Sequence, residues 1–342
     1  MKQSTRSVLS RLSFAILSVF ISGLVIAPAA SEPPQAVRSG PIPIRDQHPL
    51  SFYHASFSPE SPGVLEAGEF RARTAFNWSN TLNNRRGSYR IDAETRLVEF
   101  GLRYSPYARL ELGIGVPLLW RGEGVADSTI DNWHQAFGFP RADRDIVPDN
   151  EFALRGDNQD GTRFNLTPQG TRVMNLVLDA KYEIIPRTKD ASQWSALIRL
   201  GIPVPQNAYT QQGIDLGATL LGQMSPEVTN LDWLTLYFGA GYMHFTDEET
   251  DGLAFKHNHF FSFLQFETEP FGSIPVLLGL VYQSPLVNDV EKFPDYAVYL
   301  DLGTRFGLTD RTYGELLLRE NISSQDGTAD ITVMFALSVS GN

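Results

Sequence analysis

From residue 69 to the end, the chain alternates apolar and polar positions in runs separated by turn-forming residues. Alternation of this period makes a β-strand with one apolar face, because successive side chains point to opposite sides. The stretch "LELGIGVPLLW" (110–120) is representative, with Leu110, Leu112, Ile114, Val116, Leu118 and Trp120 on one face. Such runs fall near 69–78, 89–104, 110–120, 171–182, 193–203, 215–224, 232–243, 255–267, 275–284, 295–306, 313–321 and 329–339. They predict about twelve strands, most of roughly the ten-residue length that crosses a bilayer at a tilt. The connections sort by parity. "SPYAR", "EIIPRTKDA", "SPEVTNL", "TEPFGS" and "GLTDR" are compact, whereas those after odd-numbered runs tend to be longer, most of all 121–170. Short turns on one side and long loops on the other are expected of an outer-membrane barrel with both ends in the periplasm.

The aromatic residues decide what the apolar face looks at. At the turn side it carries Tyr104, Tyr182, Trp194, Phe266 and Phe306; at the loop side Trp78, Trp120, Tyr242, Tyr282 and Tyr296. Two aromatic girdles around an aliphatic band match the two headgroup levels of a bilayer. In a soluble sandwich the aromatics would cluster mid-strand instead, where burial is greatest. The chain therefore reads as all-β: a transmembrane antiparallel meander β-barrel of about twelve strands, residues 69–342. The outward positions are even-numbered in most runs; the last run uses Ile331, Val333, Phe335, Leu337 and Val339.

Two segments precede the barrel. Lys2, Arg6 and Arg11, an apolar stretch from Phe14 to Ile26 and the small residues "APAAS" have the form of a secretory signal, so residues 1–30 are expected to be removed on export. Residues 31–68 are proline-rich and without period, hence extended. They are expected to lie in the periplasm or to tuck into the lumen as a plug, with Arg45, Asp46 and His48 pairing luminal charges. Within the 121–170 loop, "DSTIDNWHQAFGFP" predicts a short helix. Ser128 with Asp131 suggests a capping box, Ile130, Trp133 and Phe137 share a face, and Gly138 and Pro140 are stop signals.

Composition narrows the partners. The net charge of −11 becomes −14 once the signal and its three basic residues are gone, which argues against nucleic acid. With 0 cysteines there is no disulfide framework, thiolate metal site or lipoprotein anchor. No cofactor or metal motif occurs: "DNQDG" (157–161) and "DEETDG" (247–252) lack calcium-loop spacing and read as solvated charge. The inward face carries Arg71, Arg73, Arg103, Lys181, Arg199, Arg305 and Arg319 against Glu99, Glu111, Asp179, Asp215, Glu267, Asp301 and Glu315. Balanced signs predict a paired network and a narrow or plugged lumen, not a wide general pore.

"GPIPIRDQHPL" (40–50), "YARLELGIGVPL" (107–118) and "IDNWHQAFGFP" (130–140) resemble a family of uncharacterised Gram-negative outer-membrane barrel proteins, known only as a domain of unknown function. The resemblance implies fold and location, with outer-membrane lipid, lipopolysaccharide and the barrel assembly machinery as partners, and no activity. One departure is the closing "ALSVSGN", which lacks the terminal aromatic residue of many such barrels. The expected role is passage or recognition of a small or apolar solute. A structural envelope protein without transport is the first alternative. The second is a lipid hydrolase, because His244, Thr246 and Asn258 resemble in spacing and parity the His, Ser and Asn of outer-membrane phospholipase A.

Overall fold

The computed structural model describes residues 40–138, 144, 146–166, 170–188, 192–204, 213–224, 231, 233–246, 249–250, 252–268, 274–288, 290–323 and 328–342. The export signal and residues 31–39 lie outside them. The barrel wall is formed by β1 (Phe70–Arg85), β2 (Tyr89–Tyr107), β3 (Leu110–Gly122), β7 (Leu176–Ile185), β8 (Gln193–Ile202), β9 (Asp215–Met224), β10 (Leu234–Phe245), β13 (Asn258–Thr268), β14 (Val276–Gln283), β15 (Ala297–Gly307), β16 (Thr312–Asn321) and β17 (Ile331–Gly341). Each pairs antiparallel with its neighbours, and β1 pairs with both β2 and β17, which closes a twelve-stranded meander. Closure leaves no unpaired edge, as a backbone in hydrocarbon requires.

The even-numbered face points outward. Phe100, Leu102, Leu112, Ile114, Ile198, Leu216, Leu220 and Leu280 are exposed, as are Phe335, Leu337 and Val339 of β17. Tyr104 and Tyr182 mark the turn end of this band, and Tyr242, Tyr282 and Tyr296 the loop end. The opposite face is buried inside the barrel, which is why so many charged residues have almost no exposure: Arg319 and Asp301 are each 1% exposed.

The loop end departs from the expectations in four ways. The first strand runs to Arg85, not 78, and turns directly into β2 at Tyr89, so no long loop follows it. This hairpin rises beyond the apolar band and is continued sideways by β4 (Ala153–Asp157) and β5 (Arg163–Leu166) from the 121–170 loop. The strand expected at 171–182 is split into β6 (Gly170–Val173) and β7. Pro117 of β3 has no N–H to offer there, and Met174 donates to its carbonyl (2.9 Å) across the break. The expected run from 255 begins as a strand only at Asn258, after the small ribbon β11 (Glu249–Thr250) and β12 (Leu253–Ala254).

The helix α1 (Asp127–Phe137) forms as expected and ends at Gly138 in the left-handed conformation (φ 75°), which glycine adopts without steric cost. The capping box at Ser128 does not form. The helix starts two residues earlier, with Ala126 as N-cap and no side-chain cap bond. Asp127 supplies the first-turn carboxylate and is held by Arg144 (3.0 Å) and Asn80 (2.9 Å). Pro140 lies outside the described residues.

Candidate functional site

The lumen is occupied by residues 40–65, a strap that enters at the turn end, rises to the loop end and returns. Gly40 lies beside Arg305 and Glu267, near the turn between β15 and β16. His48 meets Asn83 of the loop-end hairpin (3.0 Å), and Leu65 is back beside Glu111. At the apex, Leu50 and Tyr53 join Tyr89, Ile91, Leu154, Phe164, Phe255 and Val287 in an apolar cluster beneath the loops.

An extended strap with prolines has no ladder of its own, yet each buried N–H and C=O needs a partner. The wall supplies them. Arg305 donates to the carbonyls of Gly40 (2.5 Å) and Pro41 (2.8 Å), Arg73 to Pro43 (3.0 Å) and Arg319 to Arg45 (3.3 Å). Arg121 donates to Pro49 (3.0 Å), Arg199 to Ser56 (2.6 Å) and Lys181 to Ser61 (3.3 Å). In the other sense, Glu267 accepts from the amide of Gly40 (2.7 Å), Asp215 from Ala55 (2.6 Å) and Glu111 from Leu65 (3.1 Å). Luminal cations thus take strap carbonyls and luminal carboxylates take strap amides.

The same side chains pair with one another. Glu315 joins Arg73 and Arg305 (both 2.8 Å), and Arg319 forms a two-pronged pair with Asp301 (2.7 and 2.8 Å). Arg103 meets Glu111 (2.7 Å) and Asp179 (3.5 Å), while Lys181 reaches Glu111 (3.1 Å) and Arg199 binds Asp179 (2.8 Å). Glu60 of the strap completes this group, 2.9 Å from Arg103 and 3.0 Å from Arg199. Glu99 accepts from Asn77 (3.2 Å). Arg71 faces inward with no ion pair among the described residues.

Shape fits as well as charge. A methyl group built on Gly217 would come within 2.6 Å of the Phe57 ring, and one on Gly201 within 2.6 Å of Ala55 Cβ. These glycines leave a groove in the wall for the returning arm of the strap. Periodicity in the sequence marks Gly201 and Gly217 as inward but does not say what lies against them.

Three strap residues do not pair as expected. Arg45 turns back to the carbonyl of His54 (2.6 Å), Asp46 accepts from the Tyr299 hydroxyl (2.6 Å), and His48 meets Asn83. The strap histidine that does meet a luminal carboxylate is His54, whose Nδ1 lies 2.9 Å from Asp215 and whose ring stacks on Phe245 at 3.7 Å. His54 and Glu60 carry no sequence signal of this role, since an aperiodic segment has no predictable inward face.

His244 and Asn258 are brought together at the loop-end rim (3.3 Å), but Asn258 also accepts from Tyr242, and Thr246 turns away. The Thr246 hydroxyl donates to the carbonyl of Ile214 (3.0 Å) and accepts from the same residue's amide (2.8 Å). That arrangement offers His244 no hydroxyl proton to take. No group of three or more metal-ligating side chains occurs among the described residues.

Between the strap and the wall of β1–β3 and β7 lies a cavity of about 560 Å³. Its lining reaches the exposed Glu66, Arg187, Asp310 and Arg311 at the turn end. The model of a family described as "Protein of unknown function (DUF3187)" matches residues 17–340. The chain belongs to the DUF3187 family. No protein with a curated description matches this DUF3187 member. Among solved structures, the COG4313 outer membrane channel from Pseudomonas putida F1 superposes with a TM-score of 0.57 at 9% identity, covering 84% of this chain and 100% of the other. The monoaromatic hydrocarbon channel TodX, as a deltaS2S3 mutant, gives 0.43 at 10% identity, with 91% and 99% covered. The beta domain of the Bordetella autotransporter BrkA gives 0.39 at 14%, with 81% and 100% covered. The first of these shows that the DUF3187 protein has the fold of an outer-membrane barrel.

Proposed function

We propose that the protein is an outer-membrane channel with a plugged lumen, exported by its first 30 residues, that passes or recognises a small or apolar solute. The observation that carries this reading is the combination of a filled lumen and a sizeable space left beside the strap. The strap occupies the barrel from end to end, while about 560 Å³ stays open beside it, a size that suits a small organic molecule. A purely structural barrel has no use for such a space. Lipid and lipopolysaccharide surround the outward face in this reading.

Deleting residues 40–62 tests it. The shortened protein is expected to raise single-channel conductance in planar bilayers severalfold over the full chain. Conductance that stays at the full-length level would leave the barrel without a transport role and favour the structural alternative.

A further inference from the structure

Among the described residues, every inward cation of the barrel wall named above has an acceptor except Arg71. It lies on the cavity lining, and its Nε is buried without a partner. Across the sheet it faces Arg103 of β2 on one side and Ser340 of β17 on the other. Arg103 is already surrounded by Glu60, Glu111 and Asp179. The Ser340 Oγ also lines the cavity and is also buried without a partner. Two adjacent donor atoms, Arg71 Nε and Ser340 Oγ, are buried without an acceptor and mark a place for an anion, because a buried polar atom left unpaired is costly. Glu99, also on the lining, is accounted for by Asn77 Nδ2.

Between the charged side chains of Arg73, Glu99, Arg103 and Glu111, part of the nearby lining is apolar or bare. Gly101 and Gly115 present no side chain to the cavity, and Pro43, Pro117 and Val177 border it, whereas the space over Gly113 is taken by Asp179 and Arg103. A methyl group on Gly101 would meet nothing nearer than the Arg73 carbonyl at 3.9 Å, so the space begins at the backbone itself. Planar guanidinium beside a shallow apolar floor suits a carboxylate carrying a flat or flexible hydrocarbon body.

We propose that this cavity binds a small monocarboxylate with an apolar body, its carboxylate held by Arg71 and Ser340 and its hydrocarbon part resting on the glycine floor. The proposal rests on the channel reading for its physiological meaning and names the solute class that such a channel would take.

The test uses the full-length protein in detergent, with benzoate and octanoate as probes and benzyl alcohol as the uncharged comparison, followed by calorimetry or equilibrium dialysis. Saturable binding of a carboxylate is expected, with the alcohol at least about tenfold weaker, since a charge-assisted hydrogen bond is lost. Arg71→Met is expected to weaken carboxylate binding by at least about tenfold, and Arg71→Lys to restore part of it. Gly101→Phe, which grows into open space, is expected to abolish binding of all three probes. The shift in gel mobility on boiling reports that each variant is still a folded barrel. No saturable binding of either carboxylate, equal binding of the alcohol, or Arg71→Met binding like the parent would each overturn the proposal. Conductance of the strap-deleted protein is read separately. A gain there with no carboxylate binding sinks the solute class alone, whereas carboxylate binding with no gain sinks the channel reading.

Discussion

Arg319 and Asp301 show what the lumen demands of a single residue. Both are 1% exposed, bound to each other by two hydrogen bonds, and Arg319 also holds the strap carbonyl of Arg45. Removing one partner strands the other charge away from water, whereas removing both leaves only a packing defect. Asp301→Ala is therefore expected to cost about 3–5 kcal/mol of barrel stability, and the double change Asp301→Ala/Arg319→Leu less than that. Urea unfolding in lipid vesicles measures both. On the opposite face the rule reverses. Ile114 points to lipid, 43% exposed, so Ile114→Arg near mid-bilayer should cost roughly 2–4 kcal/mol in the same assay. A stability unchanged by Ile114→Arg would mean that this face does not meet hydrocarbon.

At the scale of elements, the strap depends on the wall's glycines. Gly217→Val would place a branched side chain against the Phe57 ring, where even a methyl comes within 2.6 Å. It is expected to dislodge the returning arm and raise conductance without altering any luminal charge, which separates displacement of the strap from loss of its ion pairs. Helix α1 has its own control. His134 lies 3.1 Å from Glu320. Burial by itself would lower its pKa, but the bond to Glu320 and the carboxylates of Asp330 and Glu320 outweigh that and raise it above the ordinary 6.5. A pKa raised by folding stabilises fully below the unfolded value and loses its contribution as pH rises through the folded one. Amide exchange over 127–138 should accordingly be slow near pH 6 and faster on the alkaline side of neutrality, about pH 9, relative to the base-catalysed rate. His134→Gln should remove that difference. The strands of the wall were legible in the sequence because lipid and lumen impose opposite demands on successive residues. Above the band that contrast fades: "SNTLNNR" (79–85) reads as loop although it is strand, its Ser79, Thr81 and Asn83 being buried polar residues. The strap was legible as extended and as a candidate plug, but its partners were not, since they are side chains from strands far away in sequence. For the same reason the inward parity of Arg71 could be read, but not its want of a partner.

For the whole molecule, the strap and the wall divide one electrostatic task. The wall's cations and carboxylates interleave pair by pair, Arg73 and Arg305 with Glu315, Arg319 with Asp301, Arg199 with Asp179, Arg103 with Glu111. Withdrawing the strap takes away Glu60, a set of backbone partners and the apolar side chains of Ile42, Ile44, Phe52 and Phe57, but it leaves these wall pairs in place and lets water satisfy the polar groups that the strap had satisfied. The barrel lacking residues 40–62 should therefore still form and still change mobility on boiling. Selectivity in a pore follows the net charge at its narrow part, and here neighbouring signs cancel over a few ångströms. The opened channel is expected to conduct both ions, with a reversal potential close to zero in a salt gradient. Arg103→Glu in that background replaces a cation among Glu111 and Asp179 by a third carboxylate, so the reversal potential should move toward that of a cation-selective pore. A strap-deleted channel whose selectivity ignores Arg103→Glu would place the conducting path somewhere other than the lumen described here.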